Sequence, residues 1–100
     1  MNKEKMIQVG FRVNLSEWNE CLQYGSVSQN IDSMVSQNEK LKSIIYINMS
    51  DVDMTSAFVL RTVRISESSL KVLSDFSKAY DLSQSQVMRR LVHILAKEVH

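Results

Sequence analysis

One hundred residues and 11.5 kDa, with 44% hydrophobic and 23% charged residues, describe one globular domain and exclude a multi-domain enzyme, a fibrous chain and a disordered one. Twelve Lys and Arg against eleven Asp and Glu leave a net charge of +1, so no charge imbalance announces a polyanion partner. Lone Cys21 excludes an internal disulfide or a cysteine zinc cluster and suits a reducing compartment, while zero Pro and two Gly favour helices with short connections. The opening MNKEKMIQVG lacks the apolar run of a signal peptide, and no segment approaches a membrane span of about 20 apolar residues. The expectation is a soluble, cytoplasmic protein without a membrane partner.

In chain order, QVGFRV comes first, a strand-like run in which Val9, Phe11 and Val13 alternate with Gln8, Gly10 and Arg12. Asn14 then caps LSEWNECLQYG, with Glu17 at the capping-box position and an apolar stripe of Leu15, Trp18, Cys21 and Leu22. Ser26 and Gln29 repeat the capping box before SVSQNIDSMV, whose Ile31, Met34 and Val35 share a face. SIIYINM, rich in β-branched and aromatic residues, predicts an additional strand, followed by a polar turn in DVDMTS. VLRTVRIS is a second alternating strand, with Leu60, Thr62 and Arg64 on one face and Arg61, Val63 and Ile65 on the other. Ser66 caps a helix striped by Leu70, Leu73, Phe76 and Tyr80. Ser83, boxed with Gln86, opens a last helix that aligns Val87, Met88, Leu91, Val92, Leu95 and Val99.

The chain thus contains one pattern twice. Strand and early-helix positions correspond at an offset of 52, as Arg12 with Arg64, Val13 with Ile65 and Cys21 with Leu73. The second helices correspond at 57, as Ser26 with Ser83 and Met34 with Leu91. The first helix of the first copy should therefore be five residues, or about 7 Å, shorter. Within a single domain over 1–100, the copies occupy 7–40 and 59–100, joined by a connector at 41–58 that carries the extra strand.

RTVRIS followed by SQSQVMRRLV resembles the ribbon and the second-helix start of the ribbon-helix-helix family of DNA-binding regulators, and QVGFRV with SVSQNIDSMV resembles it more faintly. The tandem layout is similar to that of a viral regulator of the family. The resemblance implies a mainly α fold in which the strands of two copies pair as a small antiparallel β ribbon that enters the major groove of DNA. With both copies in one chain, it implies an intramolecular pseudo-dimer. The implied function is that of a sequence-specific regulator of transcription, a repressor of its own or neighbouring genes. It would bind double-stranded DNA, self-associate on adjacent sites, and use no cofactor, metal or small-molecule substrate. The chain departs from the family where Asn14 and Ser66 replace a frequent Pro, and where Asp32 and Ser33 stand opposite the basic pair Arg89 and Arg90.

On that reading the base-contacting face is Gln8, Gly10 and Arg12 with Leu60, Thr62 and Arg64. Arg12 and Arg64 can bond guanine O6 and N7, Gln8 can read adenine, and the Thr62 methyl can meet thymine, a good bidentate pair discriminating by about 1–3 kcal/mol. By periodicity alone these are solvated residues on an exposed strand; the matched arginines and the resemblance turn the reading to base contact. The helix starts at Ser26, Ser28, Ser83 and Ser85 offer backbone N–H groups to a phosphate oxygen, or are capping boxes without a ligand. Arg89, Arg90, His93 and Lys97 read as a solvated helix face, Phe11, Trp18, Tyr24, Phe76 and Tyr80 as core, and Cys21 as a buried, inert thiol. His93 and His100 have no cluster of thiols or carboxylates for a metal, and no nucleophile is paired with a base. An extra strand beside the ribbon would widen it to roughly 14 Å against a groove of about 12 Å, so it should move or modify docking, unless it serves the core or a protein contact. The competing readings are an antitoxin-like protein-interaction module, against which the last helix runs to His100 without a wrapping tail, and a plasmid-transfer accessory DNA-binding protein.

Overall fold

The computed structural model describes residues 5–46 and 58–97. In order they form β1 (Met6–Asn14), α1 (Leu15–Leu22), α2 (Val27–Val35), α3 (Asn38–Ser43), a 3-10 turn (Ile44–Tyr46), β2 (Phe58–Ser66), α4 (Glu67–Ala79) and α5 (Gln84–Lys97). The result is a mainly α-helical domain with one small antiparallel sheet of two strands.

Side-chain caps explain where four of the five helices begin, α3 having none. Asn14 Oδ1 accepts from Glu17 N at 3.0 Å, Ser26 Oγ from Gln29 N at 3.3 Å and Ser66 Oγ from Ser69 N at 3.3 Å. At α5 the box is reciprocal: Ser83 Oγ accepts from Gln86 N at 3.1 Å while Gln86 Oε1 accepts from Ser83 N at 2.9 Å. Each such cap is worth about 1 kcal/mol, enough to fix a boundary between two short helices. Gly25, at φ +101, makes the turn between α1 and α2 in a backbone region that a side chain would strain. The matching turn before α5 uses Asp81 at φ 54, a residue type that tolerates the left-handed region. With eight residues against thirteen, α1 is five shorter than α4, as the two offsets require.

β1 and β2 pair antiparallel, with Gln8 opposite Arg64, Gly10 opposite Thr62 and Arg12 opposite Leu60. Gly10 and Thr62 are themselves equivalent at the 52-residue offset, so they mark the centre of the ribbon. Equivalent residues then fall at equal distances on either side of that rung, and Arg12 and Arg64 each stand two residues away from it. The inward faces contribute Phe11, Val13, Val63 and Ile65 to the core, where the Phe11 ring meets Trp18 edge-on at 6.3 Å. The helices cross over the sheet: α2, which follows β1 in the chain, packs on β2, and α5, which follows β2, packs on β1. α5 is the central element, touching β1, α1, α2, α4 and the 3-10 turn, and it buries Val87, Met88, Leu91, Val92, Ile94, Leu95 and Ala96.

Three expectations are corrected. The connector forms no strand at 43–46: Ser43 ends α3, and Ile44–Tyr46 is a 3-10 turn lying on α5. Among the described residues the sheet has two strands; the remainder of SIIYINM and DVDMTS lies outside them, as does Val99. A short apolar run suits a buried helix as well as a strand, and here Leu41 and Ile44, three apart, are both buried, with α3 packed on α2 and the 3-10 turn on α5. Leu22 and Tyr24 are exposed because α1 ends at Leu22, before its stripe completes another turn. Tyr80 is exposed as the C-cap of α4, although its ring lies against Phe76 at 4.5 Å. No helix among the described residues is long and apolar enough to cross a membrane.

Ile44 is fully buried, so the connector is part of the core. Ile44→Ala is expected to cost about 2–5 kcal/mol in chemical denaturation, the range for a truncated core aliphatic. A change near zero would show that the connector does not hold α5.

Candidate nucleic-acid interface

The alternation that buries Phe11, Val13, Val63 and Ile65 turns Gln8, Gly10, Arg12, Leu60, Thr62 and Arg64 outward, and all six are exposed. The structure therefore brings the six predicted residues onto one surface as three cross-strand pairs. No acidic residue stands among the outward positions of either strand, so the two guanidinium groups dominate its electrostatics. Arg12 and Arg64 are four residues apart along the ribbon and on opposite strands, which separates their backbones by about 14 Å. Gly10 has an unremarkable backbone, and a Cβ placed on it would meet only Thr62 Cγ2, at 3.7 Å. The glycine lowers the centre of the face without being required by the fold.

A two-stranded ribbon leaves outward amides on both edges. On β2, Arg64 N donates to Ser28 Oγ at 3.0 Å and Ser66 N to Asp32 Oδ1 at 3.1 Å, both acceptors lying on α2. Ser66 also donates its hydroxyl to Asp32 Oδ1 at 3.0 Å, while its oxygen caps α4. Burial pushes the Asp32 carboxyl up, but hydrogen bonds from the Ser69 side chain, the Ser66 amide and the Ser66 hydroxyl outweigh it and hold the group below its usual value of 3.8. Asp32 is thus a structural ligand of the ribbon edge, a role that its departure from the basic pair in the other copy did not reveal.

The four predicted serines divide by role. Ser26 and Ser83 are side-chain caps, and Ser28 accepts from Arg64 N while keeping a hydroxyl proton to donate. Ser85 is half-buried in the first turn of α5. Gln29 N and Gln86 N are spent on these caps, while the N–H groups of residues 27–28 and 84–85 precede the intrahelical ladder at the starts of α2 and α5.

The basic face expected on α5 is largely consumed by the fold. Arg90 is 2% exposed, with its Nη1 donating to Gln86 O at 2.9 Å, which corrects its reading as a solvated residue. His93 Nδ1 pairs with Glu17 Oε2, and Lys97 Nζ lies 3.2 Å from Glu20 Oε2. The Arg89 guanidinium lies 5.5 Å from the centre of the Phe58 ring. Glu17 therefore spends its carboxylate on α5, and the capping-box pattern gave no sign of that partner. Between these pairs Cys21 is buried and donates to Val92 O at 3.3 Å. Burial, with the charges of Glu17 and Glu20, pushes its thiol up to about 12, so it is no nucleophile near neutral pH. No group of three or more His, Cys, Asp or Glu among the described residues could hold a metal ion.

Set against protein-family models, curated proteins and solved structures, the chain matches none of them.

Since Asp32 has a lowered folded pKa, its contribution is complete above the unfolded value of 3.8 and is lost as pH falls through the folded one. Asp32→Asn should lose roughly 1 kcal/mol at neutral pH, the difference between charged and neutral acceptors. In urea denaturation the gap from wild type should narrow as pH falls below 3.8 and through the lowered folded pKa of Asp32, as its carboxylate becomes neutral; a gap constant with pH would remove the charge from this account.

Proposed function

We propose that the protein is a sequence-specific double-stranded DNA-binding regulator of transcription, a repressor of its own or neighbouring genes, built as two ribbon-helix-helix copies in one chain. The observation that carries this reading is the ribbon itself. Its register centres on Gly10 and Thr62, the sequence-equivalent arginines fall symmetrically about that centre, and the exposed face holds no acid.

In this mechanism the ribbon enters the major groove, which is wide enough for two strands. Arg12 and Arg64 each present a planar fork to guanine O6 and N7, about 14 Å apart, a span of about four base steps at about 3.4 Å. Gln8 offers its amide to adenine. The helix starts at Ser26, Ser28, Ser83 and Ser85 direct N–H and hydroxyl donors at flanking phosphates, which orients the ribbon without reading sequence. With α5's basic residues largely engaged in the fold and a net charge of only +1, sequence-independent attraction is small. Occupancy then depends on base contacts and on neighbouring molecules bound to adjacent sites.

Selection of bound duplexes from a random pool at about 0.15 M salt should enrich an imperfect palindrome for the wild type and nothing for Arg12→Ala/Arg64→Ala. Gly10→Val adds a companion test. It should match or exceed wild-type thermal stability, because valine favours a strand, yet lose affinity by filling the centre of the reading face. Enrichment that survives the double substitution would put DNA on another surface, and no enrichment by the wild type would favour a protein partner.

A further inference from the structure

Leu60 is 66% exposed on the ribbon's outer face, where burial cannot explain a large aliphatic side chain. Its counterpart at the 52-residue offset is Gln8. The two halves of the face consequently differ in kind: Gln8 lies opposite Arg64, and Leu60 lies opposite Arg12. An amide can donate to and accept from adenine, whereas an isobutyl group gains only by covering apolar surface. The major-groove edges of the base pairs present one such group, the C5 methyl of thymine.

Thr62 extends the same character. Its Cγ2 lies over Gly10, 3.7 Å from where a side chain there would begin, and it is two residues from Leu60 on the same face. Leu60 and Thr62 thus form an apolar row along β2 with a spacing of about 6.8 Å, close to two base steps of about 3.4 Å. The equivalent places on β1 are Gln8 and Gly10, which offer no such row.

We propose that Leu60 is a specificity-determining residue that covers the C5 methyl of a thymine, making one half of the site dependent on a 5-methylpyrimidine where the other half takes adenine under Gln8. This rests on the DNA-binding reading and adds to it the base chemistry that makes the site asymmetric. Leu60 lies outside the core, so Leu60→Ala and Leu60→Gln keep the fold.

The test uses the duplex enriched by the full wild-type chain, remade with each thymine in turn replaced by uracil, which deletes the methyl and keeps the base-pair hydrogen bonds. One replacement should weaken wild-type binding about fourfold, the equivalent of one buried methyl at about 0.8 kcal/mol, and leave Leu60→Ala and Leu60→Gln unaffected. Fresh selection with Leu60→Gln should bring adenine to that position and make the motif more nearly palindromic. Uracil tolerated at every position overturns the proposal, as does the lack of any replacement that weakens the wild type while sparing both Leu60 variants, since every methyl would then be read elsewhere, for instance by Thr62. Failure of the wild type to enrich any duplex overturns the DNA-binding reading first, and this inference with it.

Discussion

The edge of β2 is where the architecture is decided. A ribbon of two strands has no interior strand, and half of its amides face outward with no ladder to receive them. α2 answers this on one side by setting Ser28 and Asp32, one helical turn apart, against Arg64 and Ser66, two strand residues apart. The spacings agree, at about 6 Å along the helix and about 6.8 Å along the strand. Ser66 is at once the end of β2, the cap of α4 and a ligand of Asp32, so strand, following helix and crossing helix are fixed at one residue. Moving any of the three would leave a polar group without its partner.

The other edge is held differently. α5 packs on β1, and α1 then closes over α5 through Glu17 with His93 and Glu20 with Lys97. The more exposed Glu20–Lys97 pair contributes little energy, as surface ion pairs do, while the buried apolar surface of α5 supplies the larger share. The two strand edges are therefore supported differently, β2 by amide acceptors on α2 and β1 by packing against α5. Arg12 and Arg64 keep equivalent places although the helices behind them differ in length and charge.

Local chemistry was legible in the sequence and long-range chemistry was not. Asn14, Ser26, Ser66 and Ser83 announce helix starts because a cap acts within three residues, and the alternation along each strand separates Phe11 and Ile65 from Arg12 and Arg64 without knowledge of the partner. The five-residue difference between α1 and α4 was likewise readable from two offsets. Arg90 was misread because its charge suggested solvent, whereas its guanidinium finds an acceptor one turn back at Gln86 and its stem lies in the core. Ile44 was misread because β-branched composition does not distinguish a buried strand from a short helix that has a partner surface. The pairing of Glu17 with His93 joins residues 76 apart, and no local pattern encodes it.

Because β1 and β2 belong to one chain and pair with each other, formation of the ribbon is a unimolecular event. A ribbon assembled from two separate chains comes apart on dilution, since its stability includes a concentration term. This one carries no such term. The connection also means that the two strands need not be identical, so the places equidistant from the Gly10–Thr62 rung can hold residues as different as Gln8 and Leu60.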